Sequence, residues 1–305
     1  MKQDNKNILD RLRQAQEYFM QKDYQRALEN YHSIEADLKD SPENQPAIWI
    51  EIGWNYYLLK QFQHAAAYFE MALESPHINQ KQVFDCLRLT GFCYEFMENP
   101  DKALAFLQDA LNQPIEDKDK RFVLFETGKI FYRQNLTREA RPYLEKSLEF
   151  FSQEEKAYLR ANRYYLGFIL FYEKENRKAE KLFESIITDS ETDADKASGY
   201  FGIAHLLYEK QDYDALITCC QTIIRLNPEF FDMETLAFFL CRSYLELEMW
   251  DELGIFLPNM MDSYPEGRYA ISYRQLQESL LQRKNLLKDS GTGSSKPPVN
   301  PLSLN

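Results

Sequence analysis

The chain has 305 residues, 14 % of them aromatic, with only 10 glycines and a formal net charge of −12. Glycine at about half its usual share leaves few tight hairpins and no phosphate-cradling loop, which counts against an all-β fold and a glycine-rich nucleotide-binding fold. The excess of acid removes any general attraction to nucleic acid or anionic lipid.

The N-terminal run MKQDNKNILDRLRQ has neither the apolar centre nor the small-residue cleavage site of a secretory leader. Residues 1–7 read as a short extension. No stretch of the chain approaches the ~18 apolar residues of a membrane span. The five cysteines, Cys86, Cys93, Cys219, Cys220 and Cys241, are odd in number and two are adjacent. That usage suits a reduced compartment, and the expected location is the cytoplasm.

Seven helical hairpins follow in chain order. The first, 8–45, carries Ala15, Tyr18, Asp23-Tyr24, Ala27 and Tyr31. The second, 46–83, has Trp49-x2-Ile52-Gly53-x2-Tyr56, then Ala65-x3-Phe69 and Pro76. The third, 84–120, repeats this as Leu87-x2-Thr90-Gly91-x2-Tyr94, Ala103-x3-Leu107 and Pro114. The fourth, 121–159, has Leu124-x2-Thr127-Gly128-x2-Phe131 and Ala140-x3-Leu144. The fifth, 160–196, has Leu166-Gly167, Leu170 and Ala179-x3-Phe183. The sixth, 197–233, and seventh, 234–267, are more diverged, with Ala204 and Leu216, then Cys241 and Leu253. An amphipathic helix over 268–287 is expected to cap the last hairpin, and residues 288–305, rich in Gly, Ser and Pro, to be disordered.

The small residue of each first helix, from Ala15 through Gly53, Gly91, Gly128, Gly167 and Ala204 to Cys241, recurs every 37 to 39 residues by difference of residue numbers. A second-helix position twelve residues on is Ala in five copies and Leu in two. This register resembles the tetratricopeptide repeat (TPR) family over roughly 8–287, although that family's usual period is 34. The resemblance implies an all-α fold, a right-handed α-solenoid of helical hairpins forming a single domain, with a concave groove lined by the first helices. Leu in place of Ala at the last two crossings predicts wider packing there.

A helical wheel at ~100° per residue turns the offsets −6, −3, −2, +1 and +5 from the small residue toward that groove. About a third of those positions are aromatic, against 14 % of the chain. They include Trp54, Phe92, Phe125, Tyr164, Tyr165, Phe168, Tyr172, Phe201 and Phe238, and the cations Arg88, Lys129, Arg133 and Arg242 lie at the same offsets. Two readings compete. The rings pack between neighbouring repeats, as aromatic stripes at helical spacing usually do. Or they form an apolar trough that recognises an extended peptide or amphipathic helix through apolar or aromatic anchors, the four cations holding carboxylates or setting register.

The TPR carboxylate clamp of co-chaperones is excluded, because the matching positions are Leu12, Gln16, Glu51, Asp85 and Leu89. The four histidines are scattered, and no metal-binding or nucleophile motif occurs. No metal, cofactor or catalytic residue is therefore expected. The leading reading is a non-catalytic adaptor or scaffold that assembles a protein complex. The alternatives are a chaperone for an apolar secretion or envelope client, and a peptide-responsive signalling regulator. Self-association through the solenoid ends stays open, whereas nucleic acid and membrane insertion are not expected.

Overall fold

The computed structural model describes residues 2–289, and every regular element among them is an α-helix. Contacts divide the chain into two compact units, one ending at Phe151 and one starting at Ser152. Unit 1 contains four hairpins: α1 (Lys2–Met20) with α2 (Tyr24–Asp37), α3 (Gln45–Leu58) with α4 (Phe62–Leu73), α5 (Gln80–Phe96) with α6 (Pro100–Leu111), and α7 (Arg121–Arg133) with α8 (Thr137–Phe150). Unit 2 contains α9 (Lys156–Tyr172) with α10 (Asn176–Asp189), α11 (Asp193–Lys210) with α12 (Tyr213–Leu226), α13 (Met233–Glu246) with α14 (Trp250–Ser263), and finally α15 (Ala270–Asp289). Within each unit successive helices pack in chain order, and first helices of neighbouring hairpins also touch, as in α5 with α7 and α9 with α11, and α13 touches α15.

The hairpin crossings follow the sequence register. Ala15, Ala204 and Cys241 are fully buried, as are Ala27, Ala65, Ala103, Ala140, Ala179, Leu216 and Leu253 across from the small residues. A Cβ on Gly53 would stand 2.6 Å from Phe69, and one on Gly128 2.7 Å from Leu144. Missing side chains thus let a large ring or leucine from the second helix fill the crossing, and the helices interlock at short range.

The turn inside each hairpin shows a regularity of its own. Lys22, Lys60, Glu98, Asn135, Lys174, Gln211 and Glu248 all have positive φ, and each lies seven residues after the small residue of its copy. The next amide bonds back to the helix, as Asp23 to the Tyr18 carbonyl and Asp212 to that of Leu207. This is the Schellman ending, normally completed by glycine. Here side-chain-bearing residues hold the left-handed position, at about 1–2 kcal/mol each. Glycine is kept for four of the crossings, Gly53, Gly91, Gly128 and Gly167, where a Cβ would clash.

The residue after the left-handed one starts the second helix. Asp23, Asn99 and Asp212 accept from the amide three residues on, at 3.2, 3.2 and 3.3 Å. Leu136 and Met249 occupy the same place with no capping side chain. Leu136 is also exposed, so Leu136→Asp should add about 0.5–1 kcal/mol, visible as a raised thermal midpoint. An unchanged or lowered midpoint would count against the cap.

Helix α1 begins at Lys2, so it extends through the stretch read as an N-terminal extension. Helix α15 occupies the expected capping position and buries Tyr273, Leu276 and Leu280, while Ile271 and Leu281 face outward. Residues 288 and 289, expected to open the disordered tail, belong to α15, and from residue 290 onward that tail lies outside the described residues.

Candidate partner-binding face

In unit 1 the first-helix face carries charges that pair within the protein. Arg88 Nε donates to Asp85 at 2.8 Å, and its guanidinium lies 6.0 Å from the Trp54 and Phe84 ring centres. Arg133 Nη1 donates to the buried Glu95 carboxylate at 2.6 Å. Lys129 approaches Glu95 at 3.8 Å and pairs with Glu126. Burial pushes the Glu126 carboxyl up from its usual range, against the pull of Lys129. In unit 2, Arg242 bonds Glu246 at 2.5 Å. Each of the four cations expected to hold partner carboxylates thus has an acid neighbour within the protein, while Arg133 and Arg242 stay 58 % and 41 % exposed.

The aromatic positions separate by burial. Phe125, Phe168 and Phe201 are buried, because each packs into rings of neighbouring segments. Phe125 meets Phe151 at 6.1 Å, Phe168 meets Phe183 at 5.1 Å, and Phe201 meets Phe230 at 5.0 Å. These three are interior supports, not the outward-facing anchors that the wheel suggests. Trp54, Phe92, Tyr164, Tyr165 and Phe238 are half-buried. Trp54 packs edge-on to Tyr57 and Phe69, and Phe238 stacks on Tyr269 at 4.2 Å. Tyr172 is 56 % exposed.

Unit 2 assembles its rings into one connected array across α9, α11 and α13. Tyr164 touches Tyr165 and Phe168, Phe168 touches Tyr172 and Phe201, and Phe239 stacks on Tyr208. Two residues outside the helices also join it. Phe230 and Phe231 lie in the link before α13, with ring centres 4.4 Å apart. Phe231 is held against Phe201 at 5.8 Å and Tyr164 at 6.3 Å, yet it is 70 % exposed. A wheel drawn on the helices does not reach this link, although two adjacent phenylalanines before the capping Asp232 are an unusual loop composition.

His205 sits in the array. Its ring meets Phe201, Phe239, Phe168 and Phe171 at 4.8, 5.0, 5.2 and 5.8 Å, at steep interplanar angles. Burial lowers its pKa to about 4, with Asp232 opposing and Arg268 reinforcing the shift. It is therefore neutral near pH 7. Arg268 itself pairs with Asp232 and approaches Glu234 at 3.7 Å.

All five cysteines are buried, and burial lifts the Cys86, Cys93 and Cys219 thiols to about 12. They behave as small apolar side chains. Among the described residues no three His, Cys, Asp or Glu side chains gather as a metal site, and no helix is long and apolar enough to cross a membrane.

The tetratricopeptide-repeat family model matches residues 197–230, which is most of α11, all of α12 and the start of the link to α13. No curated protein matches the sequence. Among solved structures, the apo form of RapI superposes with a TM-score of 0.65 at 12 % identity, over 93 % of this chain and 85 % of that one. The C-terminal part of a TPR repeat-containing protein from Cytophaga hutchinsonii gives 0.61 at 18 % identity, over 86 % and 98 %. The apo form of the quorum sensor NprR from B. thuringiensis gives 0.56 at 18 % identity, over 84 % and 76 %. Hairpin register, crossings and these likenesses agree: the chain has the fold of tetratricopeptide-repeat proteins, and residues 197–230 match the repeat itself.

Proposed function

We propose that the chain is a non-catalytic adaptor of the cytoplasm that binds a protein or peptide partner through the first-helix face of unit 2. The observation that carries this is the connected array of rings on α9, α11 and α13, with Phe231 and Tyr172 left bare at its surface. Large rings held in place by other rings lose little freedom on binding, so their exposed faces convert efficiently into affinity. A buried, inert set of thiols and a face without reactive groups fit binding rather than turnover.

The quorum sensor among the similar structures favours a second reading, a regulator that changes its output when a small ligand occupies the same face. Both readings place the contact on the same rings. The double variant Tyr172→Ala/Phe231→Ala should reduce partner retention at least tenfold while leaving the thermal midpoint within a few degrees, since both rings are exposed. Unaltered retention would remove unit 2's aromatic face from the account. A large fall in the midpoint would show that the two rings are structural.

A further inference from the structure

His205 combines two features that rarely meet. Its ring is enclosed by four phenylalanines from three helices, all within 5.8 Å between centres. Yet among the described residues no hydrogen bond reaches either ring nitrogen. The residue is half-buried, and neither nitrogen is fully sealed from solvent. A neutral imidazole carries one donor and one acceptor, the complement of a peptide group.

The charges around it are already matched. Arg242 is paired with Glu246 at 2.5 Å, Lys174 with Glu209 at 2.6 Å, and Arg268 with Asp232. A charged ligand side chain entering here finds these opposite charges already paired, and it gives up hydration against the phenyl rings. An uncharged chain meets no such penalty and gains the exposed faces of Phe231 and Tyr172.

We propose that the aromatic face of unit 2 takes an extended, uncharged apolar peptide segment, and that His205 fixes its main chain by a hydrogen bond from the floor of the face. This rests on the reading of that face as the partner-binding surface. His205 then acts as the specificity element. The rings accept any apolar side chain, whereas an unpaired polar atom among them rejects a ligand that offers no amide at that point.

The test is fluorescence anisotropy on the full chain. The probes are labelled pools of N-acetylated, C-amidated decapeptides drawn from Pro, Leu, Val, Phe and Ser, with matching pools carrying Asp or Lys at every third position. The uncharged pool should bind with an affinity that is the same at low and high salt, because no ion pair forms. Phe231→Ala should abolish that binding. His205→Phe, which keeps a ring among the four phenylalanines, should weaken it about tenfold with an unchanged midpoint, and His205→Gln should restore part of the loss. Equal affinity of wild type and His205→Phe for the uncharged pool overturns the role of His205. Preference for a charged pool, still lost in Phe231→Ala, overturns the ligand class while the face stands. Binding of every pool unaffected by Phe231→Ala overturns the face itself.

Discussion

Replacing Phe183 with alanine is expected to remove about 3–5 kcal/mol from the stability of unit 2. Phe183 is fully buried on α10, where its ring occupies the space that three helices leave for it. A Cβ on Gly167 of α9 would come within 2.6 Å of the ring, and one on Gly202 of α11 would come closer still. The ring therefore lies between two glycines of successive hairpins, with Phe168 packed edge-on at 5.1 Å. Alanine leaves a void that α9 and α11 cannot both close, so a cavity cost adds to the lost transfer energy. The converse change, Gly202→Ala, overfills the same space and should cost about 1–3 kcal/mol. Because both act on one volume, Phe183→Leu combined with Gly202→Ala should cost less than the two separate losses added together. Urea unfolding of the single and double variants measures this, and strict additivity would show that the two sites are independent.

The second large effect is acid destabilisation through His205. Its folded pKa of about 4 lies below the 6.5 of a solvated histidine because burial disfavours the imidazolium, which Asp232 favours and Arg268 opposes. Between these values the unfolded chain binds the proton and the folded chain does not. The stabilisation is fully present above about pH 6.5 and is lost as pH falls toward 4, at about 1.4 kcal/mol per pH unit, or roughly 3 kcal/mol in all. Carboxylates also titrate in this range, so the readout is the difference between wild type and His205→Phe. Unfolding free energies measured from about pH 8 to about pH 4.5 should fall more steeply for wild type. Parallel curves would show that His205 accepts a proton in the folded state as readily as in the unfolded one.

The hairpin framework was legible because it depends on residue size at fixed spacing. Gly53, Gly91, Gly128 and Gly167 mark crossings where a Cβ has no room, and Ala or Leu twelve residues on completes each one. The family model matches the sixth copy, one of the two that depart from Ala at that second position. Leu216 is nonetheless fully buried there, so the crossing tolerates the larger side chain. The left-handed turn residues were not legible. Lys, Glu, Gln and Asn hold those positions, and none of Lys, Glu or Gln signals positive φ.

The face was legible only as a composition. A wheel places Phe168 and Tyr172 alike on it, yet Phe168 is buried beneath neighbouring rings and Tyr172 is exposed. That difference arises from the first helix of the next hairpin, through Phe201 and His205, which no local pattern contains. The fate of Arg133 is similar. Its partner Glu95 lies on the preceding first helix, one whole hairpin away in sequence. Phe231 escaped because it is outside any helix, although the structure makes it the most exposed ring of the array.

The most direct measurement for the central claim is site-specific photocrosslinking in the living source cell. A benzoylphenylalanine is placed singly at Tyr172, Phe231, Lys181 or Gln221, the last two being exposed positions on the second helices α10 and α12. The account predicts discrete covalent adducts from positions 172 and 231, with no adduct of the same partner from 181 or 221. Adducts concentrated at 181 and 221, with none at 172 and 231, would contradict it.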